Sequence, residues 1–229
     1  MKRLNYFELV GITIAAIVVA SFCRWKYNSD WFEVSGFITG VIAVYLTAKE
    51  HITSWPVGIV NVLIYAYVFY VAKLYADTTL QFMFLGLSIH GWLSWARGGE
   101  QSTELKISRL KPIHWGYVLA ILAVGTAVYK PIIEHFKGAS PFWDSLLMVA
   151  SVTAQVLLNR KILETWVLWI LIDIAYIPLY LSRQLYPTTI LYVIFLALAI
   201  GGLVQWIKNY QKLGDHVLEV SPDLSNYPR

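Results

Sequence analysis

Eight apolar runs decide most of what this chain can fold into. They lie at residues 4–23, 32–50, 54–73, 77–96, 113–133, 143–159, 162–182 and 187–207 of a 229-residue sequence, and a helix needs roughly 20 such residues to cross the hydrocarbon layer. Inside that layer no water satisfies backbone N–H and C=O groups, so only helices and closed β-barrels can span it. Barrel strands need only about 9–11 residues, so runs of this length predict helices. Composition agrees, with 58% apolar residues, 14% charged residues and a mean hydropathy of +0.57, too little charge to cover a soluble domain of this size. The expected fold is an all-α integral membrane protein, whose ten Trp and fifteen Tyr suit the two membrane–water interfaces. Lys2 and Arg3 ahead of the first run imitate a signal peptide. Ala20-Ser21-Phe22, however, puts a bulky ring where a cleavage site wants a small side chain, and the run reads as a retained helix.

The second constraint is internal. Sliding Ser35–Trp95 onto Leu146–Trp206, an offset of 111, aligns 61 positions without a gap, and 16 are identical. Trp55 falls on Trp166 and Tyr65 on Tyr176, while Leu74, Tyr75, Thr78 and Leu80 fall on Leu185, Tyr186, Thr189 and Leu191. Each copy holds three spans, which reverse the chain; the run at 113–133 restores its direction and makes the halves parallel about an axis along the membrane normal. The predicted architecture is a 3+1+3 parallel-repeat bundle with one extra N-terminal helix. Residues 1–31 form that helix and its loop, 32–96 the first repeat, 97–142 a solvated linker and the connecting helix, 143–207 the second repeat, and 208–229 a polar, poorly structured tail. Many membrane transporters are built from such halves, with the substrate site at the interface between them.

Eight spans place both termini on one side. That side carries twelve basic residues, Lys2, Arg3, Lys49, Arg97, Lys106, Arg109, Lys111, Arg160, Lys161, Lys208, Lys212 and Arg229, against six on the other, Arg24, Lys26, Lys73, Lys130, Lys137 and Arg183. The positive-inside rule makes both termini cytoplasmic.

Polar side chains deep in a span are costly and tend to face a cavity or the bundle interior, so the few present here are candidates. Asp173 sits near the middle of its run, with Trp166, Trp169, Tyr176 and Tyr180 on the same helical face. A carboxylate flanked by rings suits a flat ligand that is cationic or bears hydroxyls. The first repeat offers Asn61, with Gly58 and Tyr65 on its face; the offset sets Asn61 against Ile172, one short of Asp173, so the site is expected to be asymmetric. Gln155 falls on a stripe with Ser151 and Asn159, and Gln81 shares a face with Ser88, Trp92 and Trp95. Asn159 reads as a helix cap, Trp92 and Trp95 as interfacial anchors, His90 as a hydrogen-bonded helix residue, and Pro178 as a kink. Cys23 alone excludes a disulfide framework, and His51, His90, His114, His135 and His216 show no ligand spacing. No Walker motif, Rossmann fingerprint or nucleophile elbow is present. No catalytic residue, metal, cofactor or nucleic-acid partner is expected, and transport would run down a gradient or be coupled to an ion.

These residues together resemble the bacterial PnuC family of vitamin transporters, the nicotinamide riboside transporters in particular. The resemblance rests on Trp55-Pro56 followed by Asn61, on Trp166-x-x-Trp169-x-x-x-Asp173-x-x-Tyr176, on the paired Leu-Tyr-x-x-Thr blocks, and on Gly91…Trp95 and Gly202…Trp206. It covers about residues 32–207. It implies a core related in architecture to the SWEET sugar transporters and facilitated diffusion of nicotinamide riboside across the inner membrane. It further implies trapping of that substrate by a cytoplasmic kinase, and a homotrimer. It also implies a binding role for Asn61, Trp166, Trp169, Asp173 and Tyr176, to which the residues themselves add Tyr65, Gln81 and Gln155. The alternatives are a related vitamin such as thiamine, or ion-coupled transport with Asp173 as the coupling carboxylate.

Overall fold

The computed structural model describes residues 4–71, 75–98, 105–135, 140–182 and 184–220. Among the described residues eight helices follow one another: α1 Tyr6–Tyr27, α2 Trp31–Ala48, α3 Ser54–Val71, α4 Tyr75–Arg97, α5 Pro112–His135, α6 Pro141–Asn159, α7 Thr165–Ser182 and α8 Tyr186–Val220. Local chemistry marks their starts. The Asn5 side chain accepts from the Phe7 N–H at 3.1 Å and Asp30 from the Glu33 N–H at 2.7 Å, satisfying donors a first turn leaves unpaired. Pro141 opens α6, where its missing N–H forfeits nothing. Seven of the eight helices are long and apolar enough to cross a membrane. The other, α4, has 23 residues, but Gln81, Ser88 and His90 dilute its hydropathy.

Helices α2 and α3 meet in a corner, and so do α6 and α7. The two corners are built alike at the 111-residue offset. Glu50 and Lys161 take left-handed conformations, with φ of 55° and 51°. The Glu50 N–H donates to the Thr47 carbonyl (2.9 Å) and His51 to Leu46 (2.9 Å); Lys161 donates to Leu158 (2.9 Å) and Ile162 to Leu157 (3.0 Å). Such paired bonds satisfy carbonyls that a helix end would leave free. Just past each corner, Trp55 and Trp166 meet Trp95 and Trp206 edge-on, with ring centroids 5.2 and 5.5 Å apart and both interplanar angles 86°. Gly91 and Gly202 make room for them: a Cβ would fall 2.1 Å from the Trp55 ring and 2.7 Å from the Trp166 ring. The four indoles form one buried cluster at this end of the bundle, called here the corner end.

Around this frame α1 packs on α2 and α5 on α6, while α2 packs on α8 and α4 on α6. Two expectations change. The linker is not solvated throughout: Ile107 is buried in the tryptophan cluster and Leu105 packs against it. Ser108 donates its N–H to the Lys161 carbonyl (3.1 Å) and accepts from the Leu163 N–H (2.9 Å). Glu164, also buried, accepts from Arg109 Nε (3.1 Å) and the Leu110 N–H (2.9 Å). Buried Ile107 lies between exposed Lys106 and Ser108, a two-residue alternation that the surrounding charges obscured. Residues 99–104 of that linker lie outside the described residues. The tail expected from 208 is also different, because α8 continues to Val220; residues 221–229 lie outside the described residues. Pro178 lies within α7, which runs on to Ser182.

Candidate substrate site

A cavity of about 290 Å³ lies inside the bundle, lined by residues of α2, α3, α4, α6, α7 and α8. Asn61, Tyr65, Gln81, Gln155, Trp166, Trp169, Asp173 and Tyr176 all line it. Helical spacing brought these side chains to common faces; packing then turned the faces of four helices, α3, α4, α6 and α7, toward one space.

Asp173 is 3% exposed, and among the described residues no hydrogen bond or ion pair engages its carboxylate. A buried carboxylate without a partner is unfavourable until something supplies one. Asn61 belongs to α3 and is held from α2: its Nδ2 donates to the Gly36 carbonyl at 2.7 Å and to Thr39 Oγ1 at 3.0 Å. On α6, Gln155 Nε2 donates to Asn159 Oδ1 at 3.4 Å. Asn159 is no cap. It is 2% exposed and ties α6 to α4, its Nδ2 donating to the Leu87 carbonyl (2.9 Å) and bonding His90 Nδ1 (3.2 Å). That contact also makes His90 the hydrogen-bonded helix residue it was expected to be.

Rings line the cavity toward both ends. Away from the corners, Tyr176 stacks on Tyr180 with centroids 5.1 Å apart, and Tyr192 stands 5.0 Å from each. At the corner end Trp55 and Trp166 belong to the indole cluster, so Trp166 serves as a packed wall as well as a lining residue. Trp95 is buried there too, which corrects its reading as an interfacial anchor; its Nε1 donates to the Leu158 carbonyl at 3.2 Å. Trp92 remains 40% exposed. Beyond the indoles, Lys161 Nζ pairs with Glu50 Oε2 at 3.2 Å, with little of either side chain exposed. The other Glu50 oxygen accepts from Asn209 Nδ2 at 2.7 Å, and Lys161 Nζ lies 4.6 Å from the Trp95 ring centroid. Glu50 and Lys161 occupy the same repeat position with opposite charge.

The cavity itself is lopsided. Val62, Val44 and Gly58 line it at the repeat positions of Asp173, Gln155 and Trp169. Tyr192 lines the cavity but was not singled out in the sequence, Tyr180 lines it but was placed only on the Asp173 face, and Thr39, which holds Asn61, was missed although it does not itself line the cavity. Tyr192 stands 111 residues after Gln81, so applying the offset to each chosen residue would have found it. Thr39 lies between Gly36 and Gly40, where a Cβ at either position would approach the α3 residues Tyr65 or Asn61 to 3.0 and 3.3 Å, a small-residue stripe that lets α3 come close.

Membrane-crossing helices folded around a cavity lined by aromatic rings and a few buried polar groups have the form of a small-molecule transporter. Residues 30–208 match the family model described as nicotinamide mononucleotide transporter, and the chain belongs to that family. It is 29% identical over 220 residues to the nicotinamide riboside transporter PnuC of Escherichia coli, covering 84% of this chain and 91% of that protein. It is 30% identical over 195 residues to the protein of the same name from Neisseria mucosa, covering 80% and 74%. A riboflavin/roseoflavin transporter, RibM of Streptomyces davaonensis, is 26% identical over 207 residues, covering 88% and 96%. The crystal structure of the vitamin B3 transporter PnuC matches the fold with a TM-score of 0.76 and 26% identity, over 93% of this chain and 95% of that one.

Proposed function

We propose that this protein carries nicotinamide riboside across the bacterial inner membrane by facilitated diffusion, with phosphorylation by a cytoplasmic kinase trapping the substrate inside. The observation that carries the reading is Asp173, a buried, unpartnered carboxylate beside the rings of the cavity. Nicotinamide riboside has a flat cationic ring, a carboxamide and a ribose. Trp169 and Tyr176 offer faces for that ring, Asp173 offers the opposite charge, and Asn61, Gln81 and Gln155 offer hydrogen bonds to the amide and hydroxyls. An asymmetric ligand needs a lopsided site, and unequal residues at equivalent repeat positions supply one. The corner end, with Lys49, Lys161 and the basic residues of the linker, faces the cytoplasm in this proposal, both termini lie there, and the protein assembles as a homotrimer. The two halves are related as parallel repeats, so rocking one against the other would open the cavity to either side.

The test is uptake of radiolabelled nicotinamide riboside into liposomes holding the purified protein, with riboflavin and thiamine as competitors. Uptake should stop when inside and outside concentrations are equal and should ignore imposed proton and sodium gradients. Accumulation above the external concentration without a kinase would replace uniport with coupling through Asp173. Uptake blocked by riboflavin but not by excess nicotinamide riboside would move the substrate to that of the riboflavin relative.

A further inference from the structure

Two amide groups of the cavity, those of Asn61 and Gln155, are held by hydrogen bonds to the helices around them, and what fixes them shapes what that part of the cavity accepts. Both Nδ2 protons of Asn61 are committed to α2. One goes to the Gly36 carbonyl (2.7 Å), which can only accept. The other goes to Thr39 Oγ1 (3.0 Å), whose own proton is given to the Ser35 carbonyl (2.7 Å). Reversing the Asn61 amide would set its oxygen against two acceptors, so Oδ1 is the group left for the cavity. On the opposite wall the same logic runs through one more residue. The Leu87 carbonyl requires the Asn159 nitrogen (2.9 Å). Asn159 therefore offers Oδ1 to Gln155, and Gln155 spends an Nε2 proton on it (3.4 Å), turning Oε1 away from Asn159. Asp173 contributes a carboxyl oxygen as a further acceptor.

We propose that Thr39 and Asn159 are specificity-determining positioning residues. They hold Asn61 and Gln155 so that, with Asp173, one part of the cavity presents acceptor oxygens, while the indole N–H groups of Trp55 and Trp166 remain as donors at the corner end. Opposite those acceptors the ligand must carry donors (a primary carboxamide, hydroxyls), because a carboxylate in the place of the carboxamide would set oxygen against oxygen. The inference rests on the nicotinamide riboside reading and assigns roles to two residues that need not touch the substrate.

Two arms test it on the purified full-length protein. The first uses no ligand: with 15N-labelled side-chain amides, hydrogen exchange of the Asn61 carboxamide should be slow in the unmodified protein and faster in Thr39→Val. The second compares affinities for nicotinamide riboside and nicotinate riboside, which differ only in carboxamide against carboxylate. The unmodified protein should prefer the amide by roughly 5- to 150-fold, the factor an unpaired buried polar group imposes. Thr39→Val and Asn159→Ser should each shrink that preference by roughly 2- to 10-fold, the worth of one hydrogen bond. Thr153→Val removes a hydroxyl that bonds only within its own helix and should leave the ratio unchanged. A merely structural role would weaken both ligands in equal proportion, and that outcome, or fast exchange at Asn61 in the unmodified protein, overturns the proposal. If the unmodified protein binds neither nucleoside, the substrate reading falls while the exchange arm still decides the orientation of Asn61.

Discussion

Neighbouring glycines on α8 give a sharp test of how the repeat is packed. A Cβ added at Gly202 would lie 2.7 Å from two atoms of the Trp166 ring and 2.8 Å from a third, whereas at Gly201 it would meet nothing within 4 Å. Ordinary carbon contacts begin near 3.5 Å, so the ring must retreat by about 0.8 Å in Gly202→Ala. Overpacking of this kind costs about 1–3 kcal/mol, against a helix-propensity gain of about 1 kcal/mol for Gly→Ala. The expected net is a loss of up to about 2 kcal/mol for Gly202→Ala, against a gain approaching 1 kcal/mol for Gly201→Ala. Because Trp166 also lines the cavity, Gly202→Ala should weaken nicotinamide riboside binding while Gly201→Ala should not. Thermal unfolding in detergent, followed by calorimetric titration, reads both effects; a kcal/mol corresponds to roughly 2–4 °C for a chain of this size. The same contrast should hold in the first half between Gly91→Ala, where the approach to Trp55 is 2.1 Å, and Gly86→Ala, where nothing lies within 4 Å. Equal melting temperatures for Gly201→Ala and Gly202→Ala would refute the close indole–glycine packing and the reasoning built on it.

Four further outcomes are expected. Asp173→Asn should raise the melting temperature of the ligand-free protein, since it removes a buried unpaired carboxylate, while weakening nicotinamide riboside binding; a fall in both would mean that Asp173 has a structural partner. Trp169→Ala should weaken binding by roughly 5- to 150-fold, the range for loss of a stacked ring, with Trp169→Phe recovering part of it; calorimetric titration of the two variants decides. Glu50→Ala or Lys161→Ala alone should destabilise by about 3 kcal/mol, as breaking one side of a buried pair does, and the exchanged pair Glu50→Lys with Lys161→Glu should melt closer to the unmodified protein than either single charge reversal. Reporter fusions at Arg3 and Lys212 should both give a cytoplasmic signal, and opposite signals would mean that the chain crosses the membrane an odd number of times.

What the chain determined without tertiary information was whatever depends on length, polarity and spacing. Apolar runs of spanning length predicted the eight helices to within a few residues at most ends, because a helix must satisfy its own backbone in lipid. Rare polar residues such as Asp173 and Asn61 announced themselves against that background, since burying them without use would be unfavourable. The offset of 111 residues paired Trp55 with Trp166 before any contact was known. Which apolar face meets protein and which meets lipid was another matter. Lipid tails are as apolar as leucine, so hydropathy does not separate the two; for that reason Trp95 looked like an interfacial anchor and proved to be buried between Trp55 and Trp206. Asn159 looked like a cap because it ends α6, and only the packing of α6 on α4 brings the Leu87 carbonyl to its amide. Ile107 is buried because the corner carrying Lys161 and Leu163 offers its backbone to Ser108. The pairing of Glu50 with Lys161 and the locked amides of Asn61 and Gln155 belong to the same class. Each depends on a contact between separate segments of the chain, for Gln155 through Asn159 and the Leu87 carbonyl of α4, and that contact follows from how the helices stack, which no periodicity along one helix records.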